Sequence, residues 1–144
     1  EWGIKDIRLG LRWDTTSPDG QVVDLAFYRP FWKYCLEHDV SITSNVGPIK
    51  VFRWPEQHVP DPILNLLSRM PPHGERIASG DEISIAGQHY LERLAIELKK
   101  EYKSIPTLQP SNEPFNQFGI LGWMMSWKYL KETILLVFIV ENLP

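Results

Sequence analysis

The feature that most constrains the fold is a repeated alternation of strand-like and helix-like segments. Three segments have the alternating or short apolar pattern of strands, and they cover residues 6–13, 40–46 and 105–109. Each is followed by a helical segment, and these cover residues 30–39, 81–102 and 123–140, with a short additional helix at 61–70. An order of strand, helix, strand, helix predicts an α/β fold with a parallel sheet and helices packed outside it.

The first strand carries charge on one of its faces. Its apolar face contains Ile7, Leu9, Leu11 and Trp13, and its other face contains Arg8, Gly10 and Arg12. Two arginines facing a closed apolar core would be costly because their charges would lose water. Two arrangements therefore stay open: a strand whose polar face lines a cavity at the mouth of a barrel, or an antiparallel strand with one solvated face.

Composition excludes several classes of protein. A length of 144 residues corresponds to one domain, and 43% apolar with 23% charged residues is typical of a folded chain. The net charge is −3 and no Lys/Arg stripe is present, so we expect no nucleic-acid partner. Cys35 is the single cysteine, which excludes an internal disulfide and a cysteine metal site. There is no Gly-rich phosphate loop and no metal-spaced His pair, so we expect no cofactor.

The sequence predicts no membrane span. Its most apolar run, Ile134 to Val140, is far shorter than the roughly 20 residues that cross a bilayer. The first residues also lack the basic start and apolar stretch of a signal peptide. No pattern in the chain assigns a cellular location or an oligomeric state.

Charged and aromatic residues concentrate in the segments that follow the three predicted strands. These segments are 12–14, 47–60 and 112–118. The carboxyl ends of parallel strands meet at one edge of a sheet, and α/β proteins build their sites there. The third segment places Asn112 and Glu113 directly after a strand and before Pro114, which predicts a carboxylic acid aimed into a cleft.

Three motifs in this order resemble those of a known family. Ile7-Arg8-Leu9 leading to Trp13-Asp14, then Arg53-Trp54-Pro55-Glu56, then the stretch from Gln109 to Phe115, are similar to retaining β-glycosidases of the (β/α)8-barrel superfamily, clan A. The nearest resemblance is to cellulase-like, family-5-type glycoside hydrolases, and it covers most of residues 3–119. It implies an incomplete (β/α)8 TIM barrel, with about strands two to four and their helices present, in an N-terminal-half fragment.

The resemblance also implies roles for individual residues. Glu113 would be the general acid/base, Asn112 would bond the sugar 2-hydroxyl, and Arg8 would be the arginine beneath the nucleophile. The other candidate substrate contacts are Trp13, Trp54, Glu56 and His58. For Glu56 an ion pair with a nearby arginine is the structural alternative, and for His58 it is packing within its loop. The implied partner is an oligo- or polysaccharide with β-linkages.

The chain also departs from this family in its length. A complete barrel takes about 250 residues, so residues 1–144 would form a partial glycosidase domain in which residues 120–144 supply the fourth helix and a tail. The nucleophile of the seventh strand would be missing, and we expect this chain alone to be inactive. Two further interpretations stay open. One is a saccharide-binding relic or truncated product without turnover, and the other is an unrelated α/β domain in which Asn-Glu-Pro forms a turn.

Overall fold

The computed structural model describes residues 3–49, 58–102, 107–117 and 121–141 as a mixed α/β structure. Within these ranges the strands are β1 Asp6–Gly10, β2 Ser41–Asn45, β3 Arg76–Ile77, β4 Thr107–Gln109 and β5 Met124–Met125. The helices are α1 Trp13–Thr16, α2 Arg29–Glu37, α3 Asp61–Leu66, α4 Glu82–Glu101 and α5 Trp127–Glu141.

The main sheet is parallel, as the alternation of strands and helices predicts. Its order is β1-β2-β4, and both pairs of neighbours run parallel. The central strand β2 therefore has a helical crossover on either side of it in the sequence. Strand β4 ends at Gln109, whose carbonyl still accepts the Val46 N–H at 2.9 Å. Pro110 follows immediately, so its missing N–H costs the sheet no hydrogen bond.

The two faces of this sheet differ in polarity. Successive side chains of a strand point to opposite faces, so residues in register share a face. On one face the register pairs are Arg8, Thr43 and Thr107, and then Gly10, Asn45 and Gln109. On the other face they are Ile7 with Ile42, and Leu9 with Ser44 and Leu108. The apolar face faces the helices, and Leu9, Ile42 and Leu108 pack against the buried core there.

Helices α2, α4 and α5 form the layer that covers the apolar face. Trp32 of α2 contacts Tyr102 at the end of α4 edge-to-face, with ring centroids 4.6 Å apart, and Arg29 pairs with Glu101. Helix α5 packs along α4. The buried face of α2 consists of Trp32 and Cys35, preceded by the buried Tyr28.

Gly87 lets helix α4 approach its neighbours closely. A Cβ at this position would lie 2.8 Å from the Tyr129 hydroxyl and 2.9 Å from Cγ of the Pro48 ring. These distances are shorter than normal contacts, so any side chain would push α4 away from α5 and from the end of β2.

We expect Gly87→Ala to destabilise the fold in spite of alanine's better helix propensity. Overpacking costs about 1–3 kcal/mol, and the propensity gain of about 1 kcal/mol offsets only part of it. The unfolding free energy from urea titration should therefore fall by up to about 2 kcal/mol. The difference between His89→Ala and His89→Gly, at an exposed position of the same helix, measures propensity alone. A higher stability of Gly87→Ala would refute the close packing.

The first strand is shorter than its alternating pattern predicts. Leu11 still donates to the Asn45 carbonyl at 2.8 Å, but the chain then turns. The backbone N–H and the hydroxyl of Thr16 both donate to the Arg12 carbonyl at 2.9 Å, which starts a helical turn at Trp13. The prediction of a strand through Trp13 is therefore wrong. An alternating pattern shows which residues are apolar, but it does not show the hydrogen bonds that end the strand.

The last helix also begins later than predicted. Trp123 lies before β5, and its indole N–H donates to the carbonyls of Pro71 and Pro72 at 3.1 and 3.2 Å. Helix α5 starts at Trp127, and the Ser126 hydroxyl accepts the Tyr129 N–H at 3.2 Å as an N-cap. The periodicity of Trp123 with the later residues was coincidental. Similarly, the short helix predicted over 61–70 ends at Leu66.

Candidate functional site

The polar face of the sheet carries a direct contact between the middle of β1 and the segment that follows β4. Arg8 Nη2 donates to Oδ1 of Asn112 at 2.8 Å, although 104 residues separate them in the sequence. Arg8 is exposed and Asn112 is half-buried, so the contact borders solvent. The parallel sheet thus brings together two residues that the sequence assigns to one site.

Glu113 follows Asn112 in an uncommon backbone conformation. Its φ is +44°, in the left-handed region that few residues other than glycine adopt. Its carbonyl accepts the Asn116 N–H at 3.0 Å, which closes a turn, and its side chain is exposed. Strained residues of this kind cluster at functional sites, where the surrounding structure holds them. The turn therefore presents the Glu113 carboxylate to solvent, one residue after the Asn112 that Arg8 contacts.

The strain at Glu113 gives a stability test with a matched pair of variants. A left-handed residue costs about 1–2 kcal/mol unless it is glycine, whereas glycine loses about 0.5–1 kcal/mol more entropy on folding. We expect Glu113→Gly to be more stable than Glu113→Ala by roughly 1 kcal/mol. Thermal unfolding of the two variants measures this difference. A glycine variant that is less stable than the alanine variant would contradict the left-handed backbone conformation at Glu113.

Asn45 and Gln109 shape the sheet edge between these groups. Asn45 is fully buried at the end of β2, and its Oδ1 accepts the Gly47 N–H at 3.1 Å. The Gln109 side chain donates to the Ser111 carbonyl at 2.9 Å. Both contacts hold the chain as it leaves a strand, so they fix the positions of the segments that follow β2 and β4.

A second polar cluster lies after β1 and is centred on Asp14. Arg12 donates to both Asp14 oxygens, from Nε at 3.1 Å and from Nη2 at 2.8 Å. Nδ1 of His58 lies 3.2 Å from Asp14 Oδ2, and the Asp14 N–H donates to the His58 carbonyl at 2.9 Å. An ionised carboxylate can only accept, so the contact requires a proton on His58 Nδ1. The cluster joins the end of β1 to the chain that returns after β2.

The charge state of Asp14 depends on these partners. Burial raises the pKa of a carboxyl group, but the hydrogen bonds and charges of Arg12 and His58 outweigh it and hold the pKa of Asp14 below its ordinary value of 3.8. Asp14 is therefore ionised at neutral pH. Nearby, burial raises the pKa of Tyr28, whose hydroxyl accepts the Arg12 backbone N–H at 3.1 Å.

We expect Asp14 to make the free energy of unfolding depend on pH in the acid range. A carboxyl pKa that is lower in the folded state contributes stability that is present above pH 3.8 and is lost as the pH falls toward the folded value. Asp14→Asn should lower the unfolding free energy at neutral pH by about 1–2 kcal/mol, because charged hydrogen bonds are lost. It should also flatten the fall in stability below pH 4. The control is Asp61→Asn at an exposed position, and an unchanged acid slope in Asp14→Asn would contradict the cluster.

Trp13 does not lie where a sugar subsite requires it. Its side chain is fully buried and stacks on Tyr90, with ring centroids 4.9 Å apart. The Tyr90 hydroxyl lies 2.9 Å from the Thr16 hydroxyl, which closes the same packed region. The prediction that Trp13 contacts substrate is corrected to a core role, because the turn at α1 points the indole away from solvent.

Three predicted substrate contacts remain, and one of them lies within the described residues. His58 is buried, with 1% of its surface exposed, and contacts Asp14 in the second polar cluster. Trp54 and Glu56 lie outside the described residues. Asp14 is part of the Trp13-Asp14 motif, but the sequence analysis predicted no role for it. Its position two residues after Arg12 was the available signal of an ion pair.

No group of His, Cys, Asp and Glu side chains in the described part of the chain could hold a metal ion. Among the same residues, no helix has the length and apolar character needed to cross a membrane. Comparisons with protein-family models, with curated proteins and with solved structures each gave no match to this chain.

Proposed function

We propose that this chain is part of a retaining glycoside hydrolase that cleaves O-glycosidic bonds of β-linked oligo- or polysaccharides. In this proposal the parallel sheet is a section of a (β/α)8 barrel, and its polar face is the barrel interior. The observation that carries the proposal is the hydrogen bond from Arg8 to Asn112, since it joins β1 to the Asn-Glu pair after β4.

Glu113 has the role of general acid/base. Retaining hydrolysis uses two carboxyl groups about 5–5.5 Å apart: one protonates the leaving oxygen while the other attacks the anomeric carbon. The first group then deprotonates the water that releases the sugar. Glu113 is exposed at the sheet edge, so a glycosidic oxygen can reach its carboxyl group.

Arg8 and Asn112 support the reacting groups. The Arg8 guanidinium favours the ionised form of a carboxylate beside it, which is what a nucleophile needs. Asn112 uses Oδ1 to accept from Arg8, so its Nδ2 amide group is the donor for a sugar hydroxyl. The nucleophile itself comes from polypeptide outside these 144 residues, on a strand that would join the same sheet.

The test is hydrolysis by the protein that carries this chain together with that second carboxylate. We expect it to release sugar from at least one member of a panel of aryl β-glycosides and cello-oligosaccharides. Proton NMR of the first product should show the β-anomer, since two inversions retain configuration. An α-anomeric first product would contradict retention, and no turnover of any β-glycoside would contradict the assignment.

A saccharide-binding domain without turnover is the second candidate. It is favoured by the hydrogen bond from Arg8 to Asn112, which borders solvent and offers polar groups to sugar hydroxyls without requiring a nucleophile. In that case the same protein would bind cello-oligosaccharides, and the substitution Glu113→Gln would change neither binding nor product formation.

A further inference from the structure

Two exposed aromatic side chains lie beside Glu113. Trp127 is 58% exposed and Phe115 is 46% exposed, whereas the other tryptophans in the described ranges, Trp13, Trp32 and Trp123, are at most 1% exposed. The Phe115 and Trp127 rings have centroids 6.1 Å apart and are tilted by 36°. We call these two residues the aromatic pair.

The fold fixes the aromatic pair relative to Glu113. Phe115 belongs to the turn that the Asn116 N–H closes onto the Glu113 carbonyl, so it lies within about 7 Å of that residue along the turn. The Met125 N–H donates to the Pro114 carbonyl at 2.7 Å, which ties this turn to β5. Helix α5 then begins at Trp127, two residues later. Both rings therefore stand at the same end of the sheet as the candidate acid.

Exposure of such large rings has a physical cost. An indole and a phenyl ring that stay in water forgo the free energy of burial, and contiguous exposed apolar groups commonly mark binding sites. The Lys131 ammonium lies over the Trp127 ring, with Nζ 5.3 Å from the ring centroid. Leu135 and Phe138, further along α5, are exposed as well. A surface with aromatic faces and an adjacent cationic donor suits a ligand with both an apolar face and hydroxyl groups.

We propose that the aromatic pair is a subsite for a pyranose unit of the saccharide. The C–H groups on one face of a β-linked pyranose are slightly positive and stack on the negative face of an aromatic ring. The Lys131 ammonium can donate to a hydroxyl at the rim of the same sugar. This inference rests on the proposed function, and it adds a subsite whose residues carry no catalytic role.

The test is titration of the 144-residue chain with cellotetraose, followed by calorimetry and by the indole N–H signals in proton–nitrogen NMR. We expect the Trp127 indole signal to shift on binding. Trp127→Ala should weaken binding about tenfold and Phe115→Ala about fivefold, because each removes a stacking face. Trp127→Phe should recover part of the loss. Phe27→Ala is the matched control, since Phe27 is 72% exposed and its described ring contact is with Tyr28 and not with the aromatic pair.

The outcomes separate this inference from the proposed function. Glu92→Gln, at an exposed position of helix α4 away from the proposed site, should leave cellotetraose affinity within about threefold of the unsubstituted chain, because stacking depends on the rings. Equal affinity in Trp127→Ala, or no binding by the unsubstituted chain up to about 10 mM, would overturn the subsite. Binding that depends on Trp127 in a protein that hydrolyses no β-glycoside would keep the subsite and reject the hydrolase.

Discussion

Under the proposed hydrolase function, replacing Glu113 by Gln should lower kcat/KM for unactivated β-glycosides by about 10²–10⁴-fold, the usual contribution of a general acid. Glutamine keeps the shape of the side chain but has no proton to give to the leaving oxygen. The side chain is exposed, so the fold should not depend on its charge. The measurement is made on the protein that also carries the nucleophile, with cello-oligosaccharides as substrates.

The effect of Glu113→Gln should depend on the leaving group of the substrate. A dinitrophenyl glycoside has a leaving group that departs without protonation, so its first step should be nearly unaffected by Glu113→Gln. Its second step should still slow, because water then lacks a general base. The control is Glu92→Gln at an exposed position of helix α4. Equal losses for activated and unactivated substrates would indicate damage to binding or folding and would contradict an acid role.

Replacing Trp13 by Ala should lower the unfolding free energy by about 3–5 kcal/mol, the range for removing a buried large aromatic side chain. Trp13 is fully buried and stacks on Tyr90, so its loss leaves a cavity between α1 and α4. Natural domains have only about 5–15 kcal/mol of stability, so the alanine variant should unfold at low urea concentrations.

Two further variants keep the Trp13 prediction testable when the alanine variant fails to fold. Trp13→Phe preserves a ring against Tyr90 and should cost less than Trp13→Ala. Trp127→Ala removes an exposed indole and should change stability by about 0.5 kcal/mol or less. Equal costs for Trp13→Ala and Trp127→Ala, measured by urea titration, would contradict the burial of Trp13.

The architecture could be predicted from the sequence because it depends on long-range patterns. Strands separated by amphipathic helices have few arrangements other than a parallel sheet, and β1, β2 and β4 form that sheet. The contact of Arg8 with Asn112 agrees with the site that the family resemblance implies for these two residues.

What sequence reasoning missed depends on individual hydrogen bonds. Trp13 and Trp123 fit the periodicity of neighbouring elements, but both indoles are buried in the core. The chain turns at the Arg12 carbonyl, and the Trp123 indole N–H donates to the carbonyls of Pro71 and Pro72, which are distant in the sequence. An apolar residue satisfies a strand pattern and a core turn equally well. The aromatic pair was missed for the opposite reason: Trp127 fits a buried helical stripe, yet its position on α5 leaves it exposed.

Chemical rescue tests most directly whether Glu113 is the acid/base. In the Glu113→Ala form of the protein that carries the nucleophile, azide can enter the space left by the side chain and attack the glycosyl-enzyme without a general base. With dinitrophenyl β-glycosides we predict that azide restores turnover and that the product is a β-glycosyl azide, because two inversions retain configuration. Turnover that does not respond to azide, or an α-configured azide product, would contradict the assignment of Glu113.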